Sequence, residues 1–154
     1  MNAHAVGDVI TRMLHAVDSL DWAGVRERFR DPVSVDYSSL TGQPAAMVPR
    51  DDLIEGWRGV LPGFDATQHI TGPIAVDDES ADEAVARTTV RGYHWLGSDE
   101  WMVAGRYTMT LVRTGSTWRI TAITLTVSHQ SGTLSLPETA RARAATRPRE
   151  PSNR

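Results

Sequence analysis

The sequence predicts an α+β domain in which helices from the N-terminal part pack on one face of a strongly bent antiparallel sheet. Two observations support this fold class: apolar residues recur at helical spacing early in the chain, and four long β-rich segments separated by turn signals follow. Helices followed by a meander of strands are typical of α+β domains, and long antiparallel strands twist and curl. The 154 residues, of which 40% are hydrophobic, suit one globular domain with a sizeable core.

The N-terminal part begins with two predicted helices. The first spans residues 3–17, because apolar side chains recur along one of its faces. The second begins after Asp21, a favourable N-cap, and we expect it to end at Pro32. The apolar stripe of the first helix consists of Val6, Ile10, Met13, Leu14 and Val17.

A strand, a loop and a third helix are predicted next. Residues 33–37 alternate between apolar and polar side chains, which is typical of a strand. Glycine and proline mark residues 39–49 as a loop. Residues 51–60 carry apolar side chains on one helical face, and the Pro62-Gly63 pair ends this helix.

The second half of the chain is predicted to be a meander of four strands, over residues 67–76, 83–96, 101–113 and 117–128. Each segment is rich in β-branched and aromatic residues, and turn-forming residues separate it from the next. The predicted turns lie at residues 77–80, 97–100 and 114–116.

The C-terminal end differs in composition from the rest of the chain. We expect one domain over residues 1–130 and a tail over residues 131–154, because three prolines and many small polar residues follow the last strand. Residues 137–145 suit one helix, and the remainder of the tail is predicted to be disordered. The tail is basic, whereas the whole chain has a net charge of −3. This distribution argues against nucleic acid as a partner.

The composition excludes several kinds of chemistry. The chain has no cysteine, which excludes disulfides, thiolate nucleophiles and cysteine-ligated metals. It has neither a metal-ligand motif nor a Gly-rich phosphate loop, so we expect no cofactor and no metal. It also lacks signal-peptide features and an apolar run that could span a membrane, which predicts a cytoplasmic protein without membrane association. All sixteen basic residues are arginine, a bias typical of a GC-rich bacterial source.

Two histidines and one aspartate occupy positions that suit acid–base chemistry. His94 is the large polar group on a strand face of small residues, where a cavity has room, and His69 lies near the start of another strand. Asp18 falls in register with the inward side of the first helix, where a histidine partner would lower the free-energy cost of burying its carboxylate. Each residue also has a purely structural interpretation. His94 could be a core histidine that bonds to a backbone carbonyl, and His69 could be a half-exposed histidine at the end of a strand. Asp18 could cap the end of its helix.

Other side chains are secondary candidates. The hydroxyl of Tyr37 either polarises a substrate carbonyl or anchors the end of its strand at the surface. Trp57 and Val90 are expected to line a cavity, as a helix-borne aromatic and as a neighbour of His94 on its strand face. The opposite face of that strand suits a subunit interface and carries Arg87, Arg91, Tyr93 and Trp95.

Four short motifs occur in the order and spacing of a known family. They are Val17-Asp18-Ser19-Leu20-Asp21-Trp22, Val35-Asp36-Tyr37, Thr67-Gln68-His69 and Gly92-Tyr93-His94. In these motifs the chain resembles the SnoaL-like branch of the nuclear transport factor 2-like superfamily, and within that branch the scytalone dehydratases, over residues 5–128. The resemblance implies a cone: a curved, mostly antiparallel sheet wrapped around the N-terminal helices, with a deep pocket at its open end. The family usually forms homodimers or homotrimers.

The resemblance also implies roles for individual residues. Scytalone dehydratases use an aspartate and two histidines to abstract a proton next to a ketone and expel water, and Asp18, His69 and His94 match those positions. Tyr37 matches one of two tyrosines that bind the carbonyl end, whereas the second tyrosine position is Val17 in this sequence. We therefore expect a substrate other than scytalone in this pocket.

A further position, Thr108, matches an asparagine that contacts the ligand in the dehydratases. Together these residues predict a cofactor-independent acid–base enzyme, a dehydratase or cyclase that acts on a small ketone-bearing or polyketide-type substrate. Its two histidines would shuttle the proton, and Tyr37 would stabilise the developing enolate. Two alternatives stay open: a non-catalytic small-molecule-binding protein on the same fold, and an isomerase or epoxide hydrolase of the same superfamily.

Overall fold

The structure, a computed structural model, describes residues 2–147, which form two layers. One layer is helical and the other is a seven-stranded sheet. The helices are α1 (Asn2–Asp18), α2 (Trp22–Arg28), α3 (Ser38–Thr41), α4 (Arg50–Arg58) and α5 (Leu136–Thr146), with a 3-10 turn at Leu61–Gly63. The strands are β1 (Phe29–Asp36), β2 (Ala46–Val48), β3 (Ala66–Thr71), β4 (Ala75–Glu79), β5 (Glu83–Leu96), β6 (Asp99–Thr114) and β7 (Thr117–Gly132).

The sheet has the order β2-β1-β7-β6-β5-β3, and β4 pairs with the other end of β5. The β1–β7 pair is parallel, and the other pairs are antiparallel. The long strands β5, β6 and β7 curve around the helices without closing into a barrel, and register shifts in the β6–β7 pair increase the local twist. The α+β class and the cone-like curved sheet predicted from the sequence are confirmed.

Helix α1 lies in the concave side of the sheet and supplies much of the core. Its predicted stripe is buried, with Val6 and Met13 fully excluded from solvent. Opposite these residues, β6 and β7 contribute Met109 and Ile123 from their inner faces. Burial of each such side chain contributes about 1.5–3 kcal/mol to the free energy of unfolding, and it fixes α1 as the axis around which the pocket forms.

The end of the second helix differs from the prediction. Helix α2 ends at Arg28, and the strand β1 begins at Phe29 and runs through Pro32. A proline is tolerated there because the pairing of β1 with β7 is interrupted between Phe29 and Ser34, so no ladder hydrogen bond is lost. The sequence prediction treated Pro32 as a helix stop and was wrong.

Two further boundaries differ. The segment predicted as a loop over residues 39–49 contains the end of α3 and the short edge strand β2, whose side chains are mostly exposed and therefore show no apolar pattern. The single strand predicted over residues 67–76 is two strands, β3 and β4, because Pro73 has no N–H for a sheet ladder. The predicted turn at residues 77–80 accordingly overlaps the end of β4.

The C-terminal helix packs on the 3-10 turn near the open end of the cone. The helix predicted over residues 137–145 is present as α5, whose Ala140 is fully buried. A Cβ on Gly63 would lie 1.8 Å from the Ala140 carbonyl oxygen, so only glycine permits this approach. The predicted disorder at the end of the tail concerns residues 148–154, which lie outside the described residues.

The outer face of β5 carries the residues that the sequence predicts as a subunit interface. Tyr93 and Trp95 stack there with ring centroids 5.7 Å apart, and Arg87 pairs with Asp77. The homodimer or homotrimer stays a prediction. Within residues 2–147, none of the helices has the length and apolar character that crossing a membrane requires.

Candidate active site

A cavity of about 390 Å³ opens between the inner face of the sheet and the helices α1, α3, α4 and α5. Most of its lining is apolar, and a few polar side chains point into it, which is typical of a small-molecule site. The sequence-predicted site residues that line it are Val17, Tyr37, Trp57, His69, Val90 and His94.

Asp18 is the last residue of α1, and the backbone rather than its side chain ends the helix. Leu20 adopts a left-handed φ of 56°, and the N–H groups of Leu20 and Asp21 donate to the carbonyls of Val17 and Ala16. This Schellman-type arrangement satisfies the last carbonyls of the helix. The capping alternative for Asp18 is therefore wrong, and its carboxylate is free to bind elsewhere.

The Asp18 carboxylate binds the start of β3. Its Oδ1 lies 2.7 Å from Nδ1 of His69 and accepts a hydrogen bond from the Thr67 hydroxyl at 2.9 Å. Its Oδ2 accepts the backbone N–H of His69 at 2.8 Å. Thr67 and His69 share one face of β3 because side chains alternate along a strand. Three hydrogen bonds thus hold the carboxylate in one orientation against the imidazole.

The charge on Asp18 decides the tautomer of His69. Burial raises the pKa of the Asp18 carboxyl, but the hydrogen bonds and the charge of His69, together with the Thr67 hydroxyl, outweigh burial and leave this pKa below its ordinary value. An ionised carboxylate only accepts hydrogen bonds, so Nδ1 of His69 carries a proton and donates it to Asp18. In the neutral form of the ring, Nε2 then holds the free lone pair.

His94 lies deeper and in a more apolar environment. Its ring packs against Phe64 and Trp101, with centroid distances of 4.9 Å and 4.4 Å, and the side chain is 5% exposed. Nδ1 lies 3.1 Å from the Trp101 carbonyl oxygen, which only accepts, so Nδ1 carries the proton. Burial and the neighbouring charge of His69 lower the pKa of His94 to about 4. His94 is therefore neutral at pH 7.

The two imidazoles meet edge to face. Their centroids are 5.8 Å apart with an interplanar angle of 84°. In the β3–β5 ladder His69 pairs with Gly92, and Thr67 pairs with His94. A Cβ on Gly92 would lie 3.4 Å from Nε2 of His69 and 3.3 Å from Cε1 of His94. The missing side chain at Gly92 therefore leaves Nε2 of His69 open to the cavity.

Two tyrosines form the next polar group of the cavity. Tyr37, which precedes α3, and Tyr107 on β6 both line the cavity, and each phenol affects the pKa of the other. Burial raises the pKa of Tyr37 well above its ordinary value, and the charge and hydroxyl of Tyr107 raise it further. Burial raises the pKa of Tyr107 to about 12, with Asp18 adding to the rise and the hydrogen bond from Tyr37 opposing it. Both phenols are therefore protonated and act as hydrogen-bond donors.

One residue that was predicted to contact a ligand lies outside this cavity. Thr108 lines a shallow depression on the outer face of the sheet, beside Arg87 and Arg106. The cause is strand alternation, which turns Thr108 outward and its neighbour Tyr107 inward. The prediction that Thr108 contacts a ligand in this pocket is wrong, and Tyr107 occupies the inward position.

Tyr107, Thr67 and Gln130 are among the cavity or site residues that the sequence analysis does not single out. Tyr107 alternates along β6 with Met109 and Leu111, both buried, and this alternation is the signal that places it inward. Thr67 lies two residues before His69, so it had to share a strand face with that histidine. Gln130 lines the cavity from the end of β7, beyond the strand limit that the sequence predicted. Among the described side chains, no group of three or more histidine and carboxylate residues suits a metal ion.

Solved structures with this fold are known. The chain is similar to the Kfla4162 protein of Kribbella flavida, with 28% identity over 93% of this chain and 96% of that chain, and a TM-score of 0.78. A protein of Novosphingobium aromaticivorans, provisionally named a scytalone dehydratase, has 20% identity, coverages of 83% and 85%, and a TM-score of 0.70. A hexachlorocyclohexane dehydrochlorinase, LinA type 2, has 16% identity, coverages of 84% and 87%, and a TM-score of 0.69. The last two similarities concern the fold alone.

The family assignment comes from the sequence match. No curated protein sequence matches the chain. The family model described as the SnoaL-like domain, however, matches residues 2–124. This range contains Asp18 and three polar residues that line the cavity, His69, His94 and Tyr107. The chain therefore belongs to the SnoaL-like domain family.

Proposed function

We propose that the protein is a cofactor-free lyase that abstracts a proton from the carbon next to a carbonyl group and expels a leaving group from the adjacent carbon. The observation that carries this proposal is the Asp18–His69 pair, whose free imidazole nitrogen opens on a largely apolar cavity. A dehydratase removes water and a dehydrochlorinase removes hydrogen chloride, so both named neighbours support elimination as the reaction class.

His69 is the base in this proposal. Nε2 takes the proton from the substrate carbon, and the imidazolium that forms is stabilised by the Asp18 carboxylate 2.7 Å away. General base catalysis of this kind contributes roughly 10²- to 10⁴-fold in rate. The cavity supplies little water that could compete for the lone pair, because its lining is mostly apolar.

The tyrosine pair stabilises the enolate oxygen. When the proton leaves, negative charge develops on the carbonyl oxygen, and a protonated phenol donates a hydrogen bond to it. In this proposal Tyr107 fills this role, with Tyr37 as the donor to its hydroxyl, so that the Tyr107 proton is free for the enolate oxygen. The scytalone dehydratases have a second tyrosine at the position of Val17 on α1. In this protein Tyr107 on β6 would take the place of that tyrosine.

The leaving group receives the proton from His69. His94 is neutral at pH 7 because burial and His69 lower its pKa to about 4, so it is a poor acid there. Its unprotonated Nε2 instead accepts a hydrogen bond from the substrate hydroxyl and orients it. The carbon–oxygen bond breaks with its electron pair on oxygen, the His69 imidazolium protonates that oxygen, and water leaves. This replaces the two-histidine shuttle expected from the sequence.

A β-hydroxy ketone tests the proposal. Elimination of water from 4-hydroxy-4-phenylbutan-2-one gives the conjugated 4-phenylbut-3-en-2-one, which absorbance detects. We expect the protein to accelerate this reaction, Asp18→Asn to lower the rate roughly 10²- to 10⁴-fold, and Arg91→Gln on the outer sheet face to leave it unchanged. Equal rates for the unaltered protein and Asp18→Asn would contradict the lyase proposal.

Two other outcomes identify the alternatives. Binding of the ketone without any turnover favours a non-catalytic binding protein. Deuterium uptake from D₂O next to the carbonyl, without loss of water, indicates enolate formation without elimination, as a cyclase or an isomerase requires.

A further inference from the structure

Further polar side chains line the cavity besides the histidines and tyrosines described above. The residues of the inner end, His69, His94 and Tyr107, are largely buried. A second group comprises Gln130 at the end of β7 and Arg141 on α5. Arg141 is exposed as well as lining the cavity, as is Leu134 at 63% exposure, so Arg141 lies at the mouth. Most of the remaining lining is apolar.

Helix α5 holds Arg141 over the mouth. Arg141 follows Pro137 by one helical turn, and both line the cavity. The helix is held in place from another side, where Arg143 donates to the Gly63 carbonyl at 3.1 Å and to Asp65 at 2.6 Å. Because separate residues secure the helix, Arg141 is not needed to dock it.

Arg141 has no partner of its own. Among residues 2–147 its guanidinium forms neither a hydrogen bond nor an ion pair, and the lining of the cavity contains no carboxylate. Gln130 lines the same cavity, and its Oε1 accepts the Trp101 indole N–H at 2.9 Å. Arg141 therefore presents one positive charge at the mouth, and no carboxylate of the cavity lining matches it.

We propose that Arg141 binds a carboxylate at the end of the substrate that lies away from the reacting carbon. The planar guanidinium matches a carboxylate with two parallel hydrogen bonds, and the apolar wall suits a ring or hydrocarbon body between the two ends. The inference rests on the proposed function and gives its substrate class: a β-hydroxy ketone whose apolar body ends in a carboxylate.

Binding of two matched product analogues tests the inference. The ligands are 4-(3-oxobut-1-enyl)benzoic acid and the corresponding primary benzamide, which differ only in the charged group. Isothermal titration calorimetry at pH 7.5, where the acid is ionised, gives both dissociation constants. We expect the acid to bind about tenfold more tightly than the amide, Arg141→Gln to remove this preference, and Arg91→Gln, with the same change in net charge, to keep it.

The outcomes separate this inference from the proposed function. His69→Gln should keep the preference for the acid while it abolishes elimination, because the mouth and the base are different groups. Equal affinities for the two ligands, including no binding of either, would overturn the inference even if 4-hydroxy-4-phenylbutan-2-one is turned over. A preference for the acid that survives Arg141→Gln would overturn it as well. If the preference for the acid depends on Arg141 but the protein shows no elimination activity, the carboxylate site is supported and the lyase proposal is contradicted.

Discussion

Asp18 contacts His69 twice, through the ring Nδ1 at 2.7 Å and through the backbone N–H at 2.8 Å. The first contact sets the tautomer of the imidazole, and the second ties the carboxylate to the strand that carries it. Because one residue of β3 supplies both donors, the ring and the carboxylate are held in one relative position. Such support from hydrogen bonds is what the proposed general base requires.

Asp18→Asn should lower elimination roughly 10²- to 10⁴-fold. An amide has both a donor and an acceptor, so it no longer requires the proton on Nδ1, and it does not stabilise the imidazolium. Thr67→Val, which removes one hydrogen bond to the carboxylate, should cost about tenfold. The rate of formation of 4-phenylbut-3-en-2-one measures both effects. A Thr67→Val variant slower than Asp18→Asn would contradict a role for Thr67 that is secondary to the carboxylate.

Tyr107→Phe should lower the rate roughly 10²- to 10³-fold, because it removes the donor to the developing enolate oxygen. Tyr37→Phe should have a smaller effect, since Tyr37 acts by positioning the Tyr107 hydroxyl. The kinetic measurement is the turnover number at saturating ketone, with thermal unfolding of each variant as the check on folding. If Tyr37→Phe proves the more damaging substitution, Tyr37 is the direct donor.

Gly92→Ala should reduce both elimination and stability. The added methyl group would lie 3.3–3.4 Å from both imidazoles and cover Nε2 of His69, so both rings would have to shift. Hydrogen bonds hold the two rings in place, so the cost of this shift should exceed the conformational entropy that alanine saves relative to glycine, and the unfolding temperature should fall. Gly7→Ala on α1 is the control, because its methyl group would meet only Ile74 at 3.9 Å. Full activity in Gly92→Ala would show that the substrate does not approach along this strand.

His94 should make the stability of the protein depend on pH between about 6.5 and 4. Its pKa falls from 6.5 to about 4 on folding, mainly because of burial. Above pH 6.5 the ring is neutral in both states, and its contribution is constant. As the pH falls through this window the unfolded chain binds a proton that the folded chain does not, so stability decreases by about 3 kcal/mol in total.

Urea unfolding at pH 7 and at pH 4.5 measures this effect. His94→Gln, which retains a donor for the Trp101 carbonyl, should lose less stability between the two pH values than the unaltered protein. Asp18 does not interfere, because hydrogen bonds and the charge of His69 hold its pKa below its ordinary value, outside the window. The same pH dependence in both proteins would show that His94 is not the group responsible.

Much of the fold follows from local patterns. The apolar stripe of α1, the alternation along β5 and the Asp21 cap are short-range features, because helix and strand periodicities repeat within a few residues. The errors at Pro32 and at residues 39–49 come from long-range pairing, since a sheet partner decides whether a proline is tolerated and whether a short exposed segment becomes a strand.

The sequence by itself determined the residue types of the site: Asp18 on the inward side of a helix, His69 and His94 on strands, and Tyr37 at a strand end. Only the tertiary structure decided their roles. The β3–β5 register brings the two histidines together, burial between Phe64 and Trp101 makes His94 neutral, and the curvature of β6 brings Tyr107 to Tyr37. Protonation and hydrogen bonding depend on neighbours far apart in the chain, and periodicity carries no information about such neighbours.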